Sequence, residues 1–350
     1  MPPVPPRAGA GWKVLCLILF ILLVLVVFGR GLTRRFAPHV RVASEMSRNL
    51  EEVVMERNNS PNKIATIEIT GVITGGEMDQ TDMDFTDYIK EQFKQAGSDN
   101  DVKAVILKVN SPGGEVLASD DIYNIIRKFE DKHKDKPVVV SMGALAASGG
   151  YYISSPCRWI VANELTLTGS IGVIMHGYNY RGLLDKVGVR PEVFKSGRFK
   201  DMMRGDKAES EITPEETEML QKLINETYER FKQVVADGRR TAAEANHGKG
   251  HALATNWADY ADGRVLSGRQ AADLGFVDEL GNFKKSVERA KKLAGVSDAN
   301  LIQYQIPFNL VNLFRLFGKT DVHTVKVDVG LDIPRLSVGR MYFLFLPGAK

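Results

Sequence analysis

The feature that most constrains the fold is a regular alternation of apolar runs with helix-like segments after residue 62. Strands are predicted for the runs 63-KIATIEITGVI-73, 102-VKAVILKVN-110, 137-PVVVSM-142 and 158-RWIVAN-163, with helix-like segments at 86–96, at 115–130 and after residue 148. Strands that alternate with helices of this length are typical of parallel βαβ units. The runs are apolar almost throughout, as expected when helices cover both faces of a sheet. The sequence therefore predicts an α/β fold built on a parallel sheet.

A longer helix is predicted at 214–240, beyond a strand-like run at 189–195. Thr213 is placed to cap it, with Pro214 at the first helical position and Glu216 three residues after the cap. This arrangement is a capping box. The helix carries one apolar stripe, formed by Leu220, Leu223, Ile224, Phe231 and Val235. The stripe fits either core packing or a contact between subunits.

The N-terminal region contains an uninterrupted apolar run at 14–28 between Lys13 and Arg30. At ~1.5 Å per residue, the run is shorter than a hydrocarbon core of ~30 Å. Interfacial Trp12 and outward-reaching basic side chains would extend it. A cleaved signal peptide is the alternative, but 29–39 lacks a small-x-small cleavage pattern. We expect an uncleaved single-pass anchor.

The chain is expected to divide into five parts. These are an N-terminal tail at 1–12, a transmembrane anchor at 13–29, a stalk with helix-like apolar spacing at 30–62, a catalytic α/β domain at 63–295 and a C-terminal segment at 296–350. More basic residues follow the anchor than precede it, so the positive-inside rule weakly favours a cytoplasmic body. The apolar end, 341-MYFLFLPGAK-350, could pack as a strand, touch the membrane or enter a site as a pseudo-substrate.

Composition excludes several classes of partner. The net charge of +3 is spread along the chain, without the basic stripe typical of nucleic-acid binding. Only two cysteines occur, one of them inside the apolar N-terminal run, so no disulfide framework is expected. His247 and His251 are separated by two glycines in a segment without helical character, which disfavours zinc binding. We expect no metal and no cofactor.

The candidate nucleophile is Ser148, in the stretch 143-GALAASGGYYIS-154 after an apolar strand. A small residue packed where a helix meets a sheet is the competing interpretation. The stretch lacks the G-x-S-x-G pattern of an α/β-hydrolase, and no histidine is well placed as its base. Lysine is the remaining candidate base, and it acts only when neutral, which burial favours. Lys195 and Lys200 follow the strand-like run at 189–195, and each alone could be an ordinary solvated lysine.

A second glycine-rich turn, 110-NSPGGEV-116, ends one strand and opens a helix. Its Gly113 and Gly114 amides and the amide of Gly149 could point into one cavity. Backbone N–H groups in this arrangement stabilise the oxyanion of acyl transfer. Two such turns in one βαβ series, one of which carries an exposed serine, favour acyl-transfer chemistry.

Taken together, several stretches resemble the signal peptide peptidase A (protease IV) family of membrane-anchored serine peptidases. They are 110-NSPGG-114, 143-GALAASGGYY-152, 168-TGSIGV-173, 194-FKSGRFKDM-202 and 261-ADGRVLSGRQAADLGFVDELG-281. The resemblance covers about residues 63 to 295. It implies a Clp/crotonase-like fold of repeated ββα units around a parallel sheet.

The resemblance also assigns roles residue by residue. Ser148 matches the nucleophile, Lys200 the general base, and Ser170 the serine that hydrogen-bonds that base, whereas Lys195 matches no catalytic position. Gly114 and Gly149 match the oxyanion donors. The chain carries one copy of the catalytic repeat, and the family implies a homo-oligomeric ring in which neighbouring subunits share the dyad. It further implies an extracytoplasmic catalytic domain, against the charge count, and apolar peptides such as signal peptides as substrates.

Two alternatives stay open on the sequence. A crotonase-like enzyme that binds acyl-CoA would use the same two glycine turns without a serine–lysine pair. A catalytically inactive membrane scaffold would keep the fold and lose the chemistry.

Overall fold

The computed structural model describes residues 50–76, 83–307 and 339–345. The predicted anchor at 13–29 and most of the predicted stalk lie outside these ranges. Within the ranges, no helix combines the length and the apolar character needed to cross a membrane.

The strands of the described residues are numbered in chain order. They are β1 Glu51–Glu56, β2 Lys63–Thr70, β3 Val102–Ser111, β4 Gly113–Glu115, β5 Val138–Ala147, β6 Trp159–Ala162, β7 Leu167–Gly169, β8 Ile174–Met175, β9 Val265–Ser267, β10 Glu279–Leu280, β11 Asn300–Gln305 and β12 Met341–Leu344. The α-helices are α1 Phe85–Ser98, α2 Val116–Lys132, α3 Gly149–Ser154, α4 Arg181–Val187, α5 Pro214–Ala245, α6 Gly268–Asp273 and α7 Phe283–Ala294.

The main sheet has the order β1-β11-β2-β3-β5-β6-β10. All neighbours from β11 to β10 are parallel, and β1 is antiparallel to β11. Strand β7 continues parallel to the far end of β5, and β9 pairs antiparallel with β7. The predicted α/β fold with a parallel sheet is confirmed.

Helices cover both faces of this sheet. Along β3, Val105 and Leu107 belong to the larger core cluster, which also contains side chains of α1, α2, α3 and α5. The alternate residues Ala104 and Ile106 belong to a second cluster, which includes Ala290 of α7. Because both faces of the strand are buried, β3 is apolar at nearly every position.

Three local expectations change in the structure. Residues 51–56, expected within a helix-like stalk, form β1, because their backbone pairs with β11. The strand-like run at 189–195 forms no strand. Helix α5 begins at the predicted capping box and continues to Ala245. Its apolar stripe divides, since Phe231 is buried in the core whereas Leu223 is 43% exposed.

A second, smaller sheet lies beside the carboxyl end of β3. Strand β12 is its centre and runs antiparallel to both β4 and β8. The apolar C-terminal segment therefore packs as a strand, one of the arrangements that its sequence allows.

Candidate active site

Ser148 occupies a strained turn between β5 and α3. Its φ of 55° and ψ of −118° lie in a region that non-glycine residues rarely adopt, and such backbone strain is often found at functional sites. Two hydrogen bonds of 2.8 Å stabilise the turn: the Ser148 N–H donates to the carbonyl of Gly169, and the Tyr152 N–H donates to the carbonyl of Ser148. Ser148 is buried.

The two predicted glycine turns meet beside this serine. A Cβ on Gly113 would lie only 2.5 Å from the backbone nitrogen of Gly149, and Gly113 has a φ of 96°. A Cβ on Gly114 would lie 1.9 Å from the carbonyl oxygen of Ile73. Both positions therefore require glycine. Gly113 needs it for its positive φ and for the close approach of neighbouring backbone, and Gly114 needs it for the close approach alone. The structure brings Gly113, Gly114 and Gly149 to the same place as Ser148.

Ser170 is a near neighbour of the nucleophile candidate. Strand β7 ends at Gly169, which accepts the hydrogen bond from Ser148. Ser170 follows directly, with a φ of 51° and an N–H that donates to the carbonyl of Arg264 at 2.8 Å. Its side chain is largely buried.

Lys200 lies apart from this cluster within a single chain. It belongs to an exposed turn, and no hydrogen bond joins its side chain to Ser148 or Ser170 in the described part of the chain. Lys195, the other candidate, donates to the carboxylate of Asp201 at 2.6 Å and to the carbonyl of Arg198 at 3.1 Å. The structure thus brings four of the five predicted site residues together and leaves Lys200 on the surface.

The segment that carries Lys200, residues 176–206, is here called the arm. A buried ion pair joins the residue directly after the arm to α5: the Lys207 ammonium donates to both carboxylate oxygens of Glu216 at 2.7 and 3.0 Å. This hydrogen bonding lowers the pKa of Glu216. The hydrogen bond from Lys195 likewise lowers the pKa of Asp201. Both carboxylates are thus held charged, Asp201 next to Lys200 within the arm and Glu216 on α5.

The arm exposes an unusual amount of apolar surface. Helix α4, within it, has no buried residue, and the side chain of Phe194 is 94% exposed. Other exposed apolar side chains of the arm are Tyr178, Tyr180, Leu183, Val187, Val189 and Val193. Apolar patches of this kind mark interaction surfaces.

The described histidines do not supply a base. His133, His176, His247 and His251 make no hydrogen bond to Ser148, and His251 instead bonds through Nδ1 to the carbonyl of Ala272 at 2.8 Å. His39 and His323 lie outside the described residues. In the described ranges, no group of three or more His, Cys, Asp or Glu side chains is arranged to hold a metal ion.

A buried aromatic cluster, one helical turn after Ser148, was missed by sequence reasoning. The ring of Phe343 from β12 stacks on Tyr152 at 4.7 Å between centroids and lies 4.7 Å from the ring of Phe231. Tyr152 stands one helical turn after Ser148, a spacing that was visible in the sequence. The contribution of Phe231 from α5 and the position of β12 carried no local signal.

The profiles of two known protein families match the chain. The profile of peptidase family S49 matches residues 130–297. The profile of the Clp protease family matches residues 70–157, which contain both glycine turns.

Individual relatives extend the match over most of the chain. A putative protease of Synechocystis sp. is 38% identical over 242 residues, 69% of this chain and 77% of the relative. A putative signal peptide peptidase SppA of Enterococcus faecium is 37% identical over 262 residues, 74% of this chain and 72% of the relative. Among solved structures, a mutant of ClpP1 from Listeria monocytogenes matches 63% of this chain and 94% of its own, at 18% identity and a TM-score of 0.35.

The chain belongs to peptidase family S49. It is a serine peptidase, and the resemblance to the signal peptide peptidase A family drawn from its motifs is confirmed.

Proposed function

We propose that the protein is a membrane-anchored serine endopeptidase in which Ser148 is the nucleophile and Lys200 the general base. The observation that carries this proposal is the turn at Ser148. A buried serine with a φ of 55° stands against two glycines whose close packing leaves backbone N–H groups beside it. Packing alone would not require a serine at this strained position, because alanine or glycine would fill the same space.

The mechanism follows from these groups. Neutral Lys200 takes the proton of the Ser148 hydroxyl as its oxygen attacks the carbonyl carbon of a peptide bond. The N–H groups of Gly114 and Gly149 stabilise the tetrahedral oxyanion. The protonated lysine gives its proton to the leaving amine, and water activated by the same lysine hydrolyses the acyl-enzyme. Ser170 orients the lysine.

The dyad is assembled between subunits of a homo-oligomer. Lysine is a base only when neutral, and burial in an apolar setting favours the neutral form. In a single chain Lys200 is exposed, on an arm whose apolar side chains are also exposed. Contact of the arm with a neighbouring subunit would bury these side chains and bring Lys200 to the neighbour's Ser148. Leu223, in the first half of the apolar stripe on α5, is also exposed and would be buried in the same contact between subunits.

The substrates are apolar peptides, with signal peptides left in the membrane as the leading class. The Enterococcus relative is named for signal peptides, and the arm that carries Lys200 exposes apolar side chains such as Phe194. An anchor at 13–29, followed by the stalk at 30–62, would hold the catalytic domain near such peptides. We place that domain, 63–295, on the extracytoplasmic side.

Labelling with a fluorophosphonate tests the nucleophile. The assembled wild-type protein should be labelled at Ser148, and Ser148→Ala should abolish labelling together with peptide hydrolysis. Ser141→Ala, a buried serine of β5, is the matched control and should keep both. An unlabelled but folded and assembled wild-type protein would reject the peptidase in favour of an acyl-CoA-binding enzyme or an inactive scaffold.

A further inference from the structure

Ser111 ends β3 at the base of the glycine turn that carries Gly114. It is fully buried, and its partner in the parallel ladder is Ala146, two residues before Ser148. Burying a hydroxyl is unfavourable unless hydrogen bonds compensate for the lost water. A serine is therefore expected at this position only if its hydroxyl makes specific contacts.

The Ser111 hydroxyl joins the glycine turn to the end of β2. It donates to the carbonyl of Gly71, the residue after β2, at 2.6 Å, and it accepts from the N–H of Gly113 at 3.0 Å. The carbonyl of Gly113 is farther from the hydroxyl oxygen, at 3.5 Å, so the single hydroxyl hydrogen goes to Gly71. One buried side chain thus holds the Gly113 N–H in place.

Two contacts fix the peptide planes on either side of Gly113. Ser111 holds the N–H of the plane before it, and the Gly113 carbonyl, in the plane after it, accepts from the N–H of Ile73 at 2.9 Å. Peptide bonds throughout the described ranges are trans, and a trans unit directs its C=O and N–H to opposite sides. The contact with Ile73 therefore turns the Gly114 N–H away from Ile73. Together the two contacts set the direction of that N–H.

Gly113 needs this support because its own backbone is easily rearranged. Its φ of 96° is open to glycine, which has more alternative conformations than any other residue. Without the Ser111 hydroxyl, the plane before Gly113 loses its hydrogen bond and the Gly114 N–H turns more freely. Donors stabilise an oxyanion best when they need no reorientation during the reaction. Loss of the hydroxyl should therefore weaken catalysis without removing a donor.

Ser111 also packs against the second half of the proposed oxyanion hole. A Cβ on Gly150 would lie 2.9 Å from the Ser111 carbonyl oxygen and 3.5 Å from the Ser111 Cβ. Gly150 directly follows Gly149, whose N–H is the second proposed donor. Ser111 is therefore packed between the two segments that carry the donors, β4 and the start of α3.

We propose that Ser111 is a positioning residue of the oxyanion hole, whose buried hydroxyl holds Gly113 so that the Gly114 N–H stays directed at the oxyanion. Ser111 does not touch the reacting atoms and acts through the glycine turn. The inference rests on the proposed function and adds to it a residue that orients one of its donors.

Substitution by alanine and by cysteine tests the hydroxyl in the assembled full-length protein. Ser111→Ala removes it, and Ser111→Cys fills the space with a thiol that is only a weak donor and acceptor. Both should lower kcat for an apolar internally quenched peptide by about 10- to 100-fold, part of the loss that follows removal of an oxyanion donor. KM should change by less than about 2-fold, as expected for an interaction made in the transition state. Titration with a fluorophosphonate counts the reactive serines, so that kcat refers to competent sites.

A peptide aldehyde separates positioning from stability. Its adduct with Ser148 carries an oxygen in the oxyanion position, so its inhibition constant should rise by the factor by which kcat/KM falls. Ser154→Ala is the matched control, because it removes another buried hydroxyl, which donates to the carbonyl of Gly150 at 2.7 Å. The control should keep the wild-type kcat, KM and inhibition constant.

The possible failures are distinct. Wild-type kcat in a folded Ser111→Ala protein would overturn the inference, and so would a lower kcat with an unchanged inhibition constant for the aldehyde. Wild-type activity in Ser111→Cys would show that the position needs volume and not a hydroxyl, which also overturns it. If alanine prevents folding, the cysteine variant decides. A wild-type chain that neither reacts with a fluorophosphonate nor cuts any peptide would remove the proposed function itself, and the inference with it.

Discussion

Ser148 donates its backbone N–H to the carbonyl of Gly169, 2.8 Å away, and this bond joins the end of β7 to the turn after β5. It places Ser170 next to the nucleophile candidate, although the two serines come from different strand ends. Gly114 approaches from β4, and Gly149 directly follows Ser148 at the start of α3. The cluster is therefore fixed by backbone contacts within one chain, whereas Lys200 lies on an exposed turn.

The glycine turn of β4 is sensitive to a single methyl group. Gly114→Ala would place its Cβ 1.9 Å from the carbonyl oxygen of Ile73, so the turn must shift and its N–H must leave the oxyanion position. We expect kcat to fall by about 10²–10³. Gly76→Ala, which has no atom within 4 Å of its added Cβ, should behave as the wild type. Full activity in the Gly114→Ala protein would exclude this glycine as a donor.

The buried ion pair between Arg239 and Asp278 ties α5 to the sheet. Asp278 also accepts from the backbone N–H of Ile160 at 2.8 Å. Asp278→Ala would leave the Arg239 guanidinium buried without its partner, at a cost of about 3–5 kcal/mol in the free energy of unfolding. Denaturant titration would measure this loss. Asp262→Ala, which removes an exposed partner of Arg264, should leave the free energy nearly unchanged, and equal losses in both variants would contradict the assignment.

Glu130 should make stability depend on pH. Burial raises the pKa of its carboxyl to about 7, although the N–H groups of Val138 and Arg158 donate to it. The folded protein therefore keeps a proton that the unfolded chain releases at lower pH. The contribution of Glu130 to the free energy of unfolding should be fully present below pH 4.5 and be lost as the pH rises to about 7, by at most about 3 kcal/mol.

Glu130→Gln tests this dependence because glutamine stays neutral. The free energy of unfolding of the variant should not fall between pH 4.5 and 7 as that of the wild type does. Above pH 7 the variant should be more stable than the wild type. Unfolding profiles that run parallel in the two proteins would show that Glu130 does not titrate in this range.

The two candidate lysines can be told apart by substitution. Lys200→Met should lower kcat by about 10²–10⁴, the usual contribution of a general base. Lys195→Met removes the partner of Asp201 and should cost far less, since it disturbs the arm without removing the base. Steady-state hydrolysis of one peptide by both variants provides the measurement. A larger loss for Lys195→Met would reverse the assignment.

Much of the fold could be predicted because its signals are local. Apolar runs in the sequence predict the strands β2, β3, β5 and β6, because strands buried on both faces are apolar at nearly every position. Ser148 and the glycines at 113 and 114 follow the adjacent strands β5 and β3, whose carboxyl ends share one edge of the sheet. Their proximity therefore follows from the topology alone.

The remaining features depend on contacts that no short stretch encodes. The run at 189–195 has strand-like composition but finds no sheet neighbour in the described structure, so Val189 and Val193 stay exposed. The register of β12 against β4 joins residues far apart in sequence. Lys200 lies on an exposed turn of the single chain, and its motif carries no signal for where that turn lies relative to Ser148.

The central claim, a dyad assembled from Ser148 of one subunit and Lys200 of the next, is tested most directly by mixing inactive subunits. Ser148→Ala and Lys200→Ala chains, each inactive alone, are co-assembled in equal amounts and assayed for peptide hydrolysis. About one quarter of the wild-type activity should return, because a random ring pairs an intact serine with a neighbour's intact lysine at that frequency. Replacing the Lys200→Ala chain by one that carries both substitutions should restore nothing. Mixed rings that remain inactive would contradict the shared dyad.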